Sequence, residues 1–213
     1  MSEFKDKVVV ITGAGGGLGK EHALEFAKRG AKVVVNDLGG SGDGRGASDV
    51  ADAVVDQIRE AGGIAIANKA SVSDRAGAKS IVDDAVAEFG TVDILVNNAG
   101  ILRDKSFKNL DLDDWDTLMD VHLNGSAYVS HAAWPIMYNN NYGRIVMTSS
   151  TSGIFGNFGQ ANYGAAKMGM LGLINVLAIE GASKNIRVNG LAPGAETRLI
   201  GTIPGREVDP ENP

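Results

Sequence analysis

Short runs of β-branched and apolar residues alternate along this chain with longer stretches of helical pattern. The first run, Lys7–Thr12, reads Lys-Val-Val-Val-Ile-Thr and is stopped by glycines. It lacks the apolar–polar alternation of a half-solvated strand, as expected of a strand buried on both faces of a parallel sheet. Comparable runs fall at Lys32–Asp37, Ile64–Asn68, Asp93–Asn97, Gly143–Ser149 and Ile186–Leu191. Helical patterns lie between them at Gly17–Arg29, Ala47–Ala61, Asp74–Phe89, Asp113–Tyr138 and Gln160–Ala182, the first ended by Gly30 as a C-cap. Strands alternating with helices of this length predict right-handed βαβ units. The expected fold class is α/β, a doubly wound parallel sheet with helices on both faces.

Two segments depart from the alternation. Gly39–Gly46 is a glycine-rich patch, read as a flexible linker after the second strand. From about residue 195 the chain is loop-like, with Gly201, Pro204, Gly205, Pro210 and Pro213 and no further strand or helix signal. Residues 1–213 are therefore expected to form a single domain whose C-terminal element is missing.

Composition narrows the functional classes. With 213 residues, 44% hydrophobic and 22% charged, the chain has the make-up of one ordinary globular domain. It contains no cysteine, which removes disulfides, thiolate metal sites and cysteine nucleophiles, and fits a reducing compartment. A formal charge of −6, without any Lys/Arg run, argues against nucleic acid as a partner. No stretch is read as a membrane span, and the polar N-terminus does not resemble a secretory signal. The expected location is cytoplasmic, with the peroxisome as the eukaryotic alternative. His22, His122 and His131 are too dispersed for a metal site, so no metal is expected.

Between the first strand and first helix lies Thr12-Gly13-Ala14-Gly15-Gly16-Gly17-Leu18-Gly19. G-x-G-x-x-G does not fit from Gly13, because the sixth position is Leu18; G-x-x-x-G-x-G does, through Gly13, Gly17 and Gly19. Either spacing serves a sharp turn, close backbone approach to a pyrophosphate, and a helix N-terminus aimed at the phosphates. Asp37 ends the second strand 18 residues after Gly19, where a carboxylate would accept hydrogen bonds from ribose hydroxyls and repel a 2′-phosphate. Leu38, Gly15 and Gly16 bring no compensating cation, so NAD is expected over NADP.

Tyr163 and Lys167 are four apart in a helical stretch and project from one face. A nearby Lys⁺ would favour the tyrosinate and lower a pKa that is otherwise near 10. Such a pair could move a proton while a hydride moves to or from a nicotinamide. Ser150 precedes Tyr163 by 13 residues and could hold the substrate oxygen, but Thr148, Ser149, Thr151 and Ser152 are competing hydroxyls.

Taken together, Thr12–Gly19, Asn97-Asn98-Ala99-Gly100, the serine before the helix, Tyr163-Gly164-Ala165-Ala166-Lys167 and Pro193-Gly194 resemble the short-chain dehydrogenase/reductase family, in order and at family spacing. The resemblance implies a Rossmann-type sheet and an NAD-dependent oxidoreductase. It makes Tyr163 the general acid/base, Lys167 its electrostatic partner and ribose holder, Ser150 the residue orienting the substrate oxygen, and Asn124 the anchor of a proton-relay water. Gly13, Gly17, Leu18, Gly19, Asp37, Asn98, Ala99, Gly100, Tyr163, Lys167, Pro193 and Gly194 would bind the cofactor. Ser71 would stand where many relatives carry an adenine-contacting aspartate. Asn36–Gly40, Gly100–Phe107 and Gly153–Tyr163 are further similar to the (3R)-hydroxyacyl-CoA dehydrogenase part of the multifunctional β-oxidation enzyme, implying an acyl-CoA-like substrate. A homodimer or homotetramer is implied as well. The alternatives are a 3-ketoacyl-carrier-protein reductase, a hydroxysteroid dehydrogenase, or an NAD-binding subunit without catalysis of its own.

Overall fold

Val8, Val9, Val10 and Ile11 send side chains alternately to the two sides of the first strand, and both sides are buried. In the computed structural model, which describes residues 3–194, that strand is β1 (Val8–Thr12). It is joined by β2 (Lys32–Asn36), β3 (Ile64–Asn68), β4 (Ile94–Asn97), β5 (Gly143–Thr148) and β6 (Ile186–Leu191). Among the described residues these strands form one parallel sheet in the order β3-β2-β1-β4-β5-β6. Asp93 pins β1 to β4: its carboxylate accepts from Val8 N–H at 2.9 Å and pairs with Lys7 at 3.2 Å.

Helices cover both faces. Val9, Ile11, Val33 and Val35 pack with Ala23 of α1 (Gly17–Lys28) and with Val54 and Ile58 of α2 (Val50–Glu60). On the other face Val10, Leu95, Ile145 and Met147 share a core with Ile81 of α3 (Arg75–Phe89) and side chains of two later helices. The strand order reverses between β1 and β4. Adjacent loops there leave in opposite directions and open a crevice at the carboxyl edge of the sheet.

The long helix expected at Asp113–Tyr138 is divided. It forms α4 (Leu112–Met119), a π-helical turn over Asp120–Asn124, and α5 (Gly125–Asn139). A close approach marks the widened turn. A Cβ on Gly125 would lie 2.8 Å from Val72, and Ser126 turns its hydroxyl back onto the His122 carbonyl at 2.6 Å. A five-residue helix, α6 (Thr151–Phe155), was not anticipated; Ser150 caps it by accepting from Ser152 N–H.

The last long helix is α7 (Ala161–Gly181). The stretch Ala161–Lys184 is long and apolar enough to cross a membrane, contrary to the expectation that no segment would be. In this fold it lies beside β6 and α6 with Lys167 buried in its second turn.

The glycine-rich patch is likewise not a simple linker. Gly42 accepts from Leu102 N–H at 2.9 Å, Asp43 from Arg103 Nε at 2.9 Å, and Gly40, Ser41, Gly42 and Gly44 line the crevice. The loop-like tail from about 195, and the missing C-terminal element expected there, lie outside the described residues.

Candidate active site

A cleft of about 760 Å³ occupies the crevice, and the turn after β1 forms part of its floor. Gly13 (φ 64°) has a left-handed backbone, and a Cβ there would come within 2.7 Å of Ala99 Cα. Gly19 packs rather than lines: a Cβ would fall 2.2 Å from the Gly13 carbonyl oxygen. Gly16 and Gly17 instead face open space where their side chains would be. The start of α1 thus offers bare backbone to whatever fills the cleft, which suits a pyrophosphate.

Asp37 lies just beyond β2 and also lines the cleft. Its carboxylate accepts from Gly15 N–H at 2.8 Å and from Gly39 N–H at 2.7 Å. Each oxygen keeps a further lone pair for a ribose hydroxyl. Arg45 is paired with Asp43 at 3.4 Å. These features fit a dinucleotide with a free 2′-hydroxyl.

Asn98 braces the turn. Its amide donates to the carbonyls of Thr12 (3.2 Å) and Gly13 (3.1 Å), while Thr12 Oγ1 accepts from the N–H groups of Asn98 and Ala99, both at 3.1 Å. Leu18, Ser71, Asn98, Ala99, Gly100, Pro193 and Gly194 all line the cleft.

To the same cleft α7 presents Tyr163 and Lys167. The Lys167 Nζ stands 5.4 Å from the centre of the Tyr163 ring and donates to the Thr148 carbonyl. The competing hydroxyls are now distinguishable. Ser149 donates to the Lys167 carbonyl at 3.0 Å, and Thr148 reaches Asn98 at 3.4 Å. Ser150 does not line the cleft directly, but its hydroxyl bears on Tyr163.

The electrostatics differ from the sequence expectation. Burial raises Tyr163 above the ordinary tyrosine value; the Ser150 hydroxyl opposes that rise and the Asp104 carboxylate adds to it. Burial also lowers Lys167 to about 7, so its charge is held at a cost rather than freely available.

Asn124 is not brought into the cleft. Its amide donates to Asp120 at 2.7 Å, and it is absent from the lining among the described residues. The π-helical turn moves His122 inward instead: it is 2% exposed and edge-on to Tyr163 with ring centres 5.4 Å apart. The sequence did contain a signal, because Leu118, His122 and Ser126 recur every four residues on one buried face.

Asp104 and Gln160 were also missed. Gln160 Nε2 donates to Asp104 at 2.7 Å, and Lys105 N–H donates to Gly159 at 2.9 Å, clamping the segment that leads into α7. Burial raises the Asp104 carboxyl above the usual carboxylate range. Arg103 and Lys105 are both engaged with Asp114, at 2.9 and 3.3 Å.

A family model described as short chain dehydrogenase matches residues 7–201. The chain is 57% identical over 206 residues to peroxisomal multifunctional enzyme A of Dictyostelium discoideum, covering 96% of this chain but only 46% of that protein. It is 54% identical over 209 residues to a short-chain type dehydrogenase/reductase of Mycobacterium tuberculosis, covering 98% of this chain and 73% of the relative. Among solved structures, a 7α-hydroxysteroid dehydrogenase complexed with NADH and 7-oxo glycochenodeoxycholic acid superposes with a TM-score of 0.86 at 33% identity, over 98% of this chain and 77% of that one.

Proposed function

The chain belongs to the short-chain dehydrogenase family, and on that premise we propose that it oxidises (3R)-3-hydroxyacyl-CoA to 3-ketoacyl-CoA with NAD. The observation that carries the reading is that Tyr163 and Lys167 line the same cleft as the glycine turn and Asp37, with the Ser150 hydroxyl acting on Tyr163 from just behind the lining. The acyl-CoA substrate rests on likeness to the multifunctional enzyme, at 57% identity, against 33% for the steroid dehydrogenase.

Bound NAD⁺ supplies the acceptor for the hydride that leaves C3 of the alcohol. The chain supplies the proton chemistry. Tyr163 Oη receives the hydroxyl proton as the carbonyl forms, and Ser150 Oγ holds the same oxygen in line. Lys167 stabilises the tyrosinate when charged, and Gly16 and Gly17 admit the diphosphate. Asp37, free of any cation among the described residues, favours NAD over NADP. The family is commonly oligomeric, and a homodimer or homotetramer is part of this reading. The exposed side of α7 supports it, since Met168 (53% exposed), Val176 (52%) and Ile179 (78%) leave apolar surface in solvent. The single-domain reading of residues 1–213 and a cytoplasmic or peroxisomal location belong to the same proposal.

Absorbance at the reduced-nicotinamide band, recorded with NAD⁺ or NADP⁺ and each enantiomer of a 3-hydroxyacyl-CoA, tests the cofactor, the substrate and its stereochemistry together. Reduction of NAD⁺ by the (3R) form alone is the expected result. Turnover of a hydroxysteroid but of neither enantiomer would replace the substrate. NAD binding without any turnover would favour the non-catalytic subunit.

A further inference from the structure

The guanidinium of Arg103 joins loops that are far apart in the chain. Its Nε donates to the Asp43 carbonyl at 2.9 Å, and its Nη1 donates to Asp114 Oδ1 of α4 at 2.9 Å. One residue earlier, Leu102 N–H donates to the Gly42 carbonyl at 2.9 Å. The glycine-rich patch is thus a strap, fastened by its tip to the loop that follows β4. In the sheet, β1 lies between β2 and β4. A contact between the loops leaving β2 and β4 therefore spans the carboxyl end of β1, where the glycine turn begins. Ser41, Gly42 and Gly44 of the strap line the cleft together with Gly16 and Gly17 of the turn.

Resting on the dinucleotide reading of the cleft, we propose that Arg103 is a positioning residue for the cofactor. It latches the strap across the end of β1, and opening of that latch sets how fast the cofactor leaves. Arg103, Asp43 and Asp114 are absent from the lining of the cleft among the described residues. They act through the strap, not by touching the cofactor. A charged donor held between a backbone carbonyl and a carboxylate makes a firmer fastening than a neutral backbone pair alone.

The latch has one fixed side and one side built to move. On the fixed side, the Arg103 carbonyl accepts from Nδ2 of the buried Asn162 of α7 at 3.4 Å. The side chains of Arg103 and Asp114 are each 16% exposed, and Asp114 keeps a second cation, Lys105, at 3.3 Å. The strap itself is a compact unit. Ser41 N–H and Oγ both donate to the Arg45 carbonyl, at 2.8 and 2.9 Å, and Gly44 N–H donates to the Ser41 carbonyl at 2.8 Å. Its base is tied by Ser48 Oγ to the Gly39 carbonyl at 2.9 Å. Among the described residues, the bonds from Leu102 and Arg103 are the two that join Gly40–Gly46 to the rest of the protein. Breaking them frees the tip without disturbing its internal turn.

Amide hydrogen exchange and NADH release in the full chain test this. The Leu102 amide reads the strap directly, because its acceptor is the Gly42 carbonyl. In Arg103→Met it is expected to exchange about 10-fold faster, the worth of a lost hydrogen bond from a charged donor. NADH release, followed by stopped-flow fluorescence against excess NAD⁺, is expected to quicken by the same factor, since both report one opening. The amides of Val10 and Leu95, buried in the sheet, keep their parent rates, which separates an opened strap from a loosened fold. Asp114→Asn moves both readouts in the same direction by less, and Arg103→Lys, which keeps a cation for Asp114, recovers part of the loss. Unchanged NADH release in Arg103→Met would overturn the proposal, whether or not Leu102 exchanges faster. Faster exchange at Val10 and Leu95 along with Leu102 would overturn it too, by making Arg103 a residue of general stability. Neither measurement uses an alcohol substrate, and exchange at Leu102 uses no cofactor. Failure of the acyl-CoA assignment, or of NADH to bind the parent, is therefore read separately.

Discussion

The backbone N–H of Gly15 donates to Asp37 Oδ2 across 2.8 Å, joining the turn after β1 to the end of β2. One carboxylate thereby shapes the phosphate turn and faces the place where a ribose would lie. Space is tight at this junction, since a Cβ on Gly15 would stand 2.9 Å from that same carboxylate. Replacing Asp37 should loosen the turn and remove a ribose acceptor together. Asp37→Ala is expected to weaken NAD⁺ binding about 10- to 100-fold, the worth of a lost charge-assisted hydrogen bond. The penalty against NADP⁺ should fall at the same time. Calorimetric titration with both cofactors checks this, and unchanged NAD⁺ affinity would move the ribose elsewhere.

Tyr163→Phe removes one hydroxyl from a residue otherwise held by packing against His122 and Lys167. Turnover should fall by roughly 10²–10⁴, the usual contribution of general acid–base catalysis, while NAD⁺ binding stays within about twofold. Steady-state rates beside a binding titration separate the two effects. Retained turnover would assign the proton transfer to another group.

Lys167 carries a charge into the interior, and burial lowers it to about 7. Its value in the unfolded chain is near 10.4. Below pH 7 both states are protonated and the native state bears the whole burden of the buried charge. Between 7 and 10 the unfolded state binds more protons, so this group's contribution to stability rises with pH. Lys167→Met should therefore melt higher than the parent at pH 6, on the order of 5 °C, and the gap should close towards pH 10. Melting curves across that range decide it; a constant gap would mean that Lys167 is not depressed.

A Cβ on Gly19 would fall 2.2 Å from the Gly13 oxygen and 2.6 Å from Asn98 Nδ2. Gly19→Ala should cost about 1–3 kcal/mol by overpacking and disturb the Asn98 brace. Denaturant unfolding measures the loss. Gly16→Ala, with nothing within 4 Å of its Cβ, should unfold like the parent yet bind NAD⁺ less well.

If α7 is the surface of self-association, Val176→Glu with Ile179→Glu should convert the oligomer to monomer in sedimentation while leaving the monomer folded. Both positions are more than half exposed in the single chain, so neither charge would be buried on folding. An unchanged sedimentation coefficient would place the contact elsewhere.

The strand positions were readable because Val8–Ile11, Val33–Val35 and Ile94–Val96 are apolar at every step, and only a strand covered on both faces has that need. Tyr163, Lys167 and the glycine turn were readable because each depends on spacing within one helix or one loop. His122 was not. A π-helical turn adds one residue to a helical circuit, and that changes which side chain points inward without altering the apolar pattern that announces the helix. Asn124, chosen by position in the segment, ends on Asp120, while His122 two residues earlier reaches Ile101.

The sequence by itself thus determined the strands and helices, the phosphate turn and the tyrosine–lysine pair from residues a few positions apart, and Asp37 from its place at the end of the second strand. The tertiary structure alone decided that Ser150 acts on Tyr163, that His122 rather than Asn124 lines the cleft, and that the glycine-rich patch forms part of its wall. It also decided that burial raises Tyr163 and lowers Lys167. Each of these depends on groups brought together across the sheet, where distance and exclusion of water, rather than local spacing, set the energy.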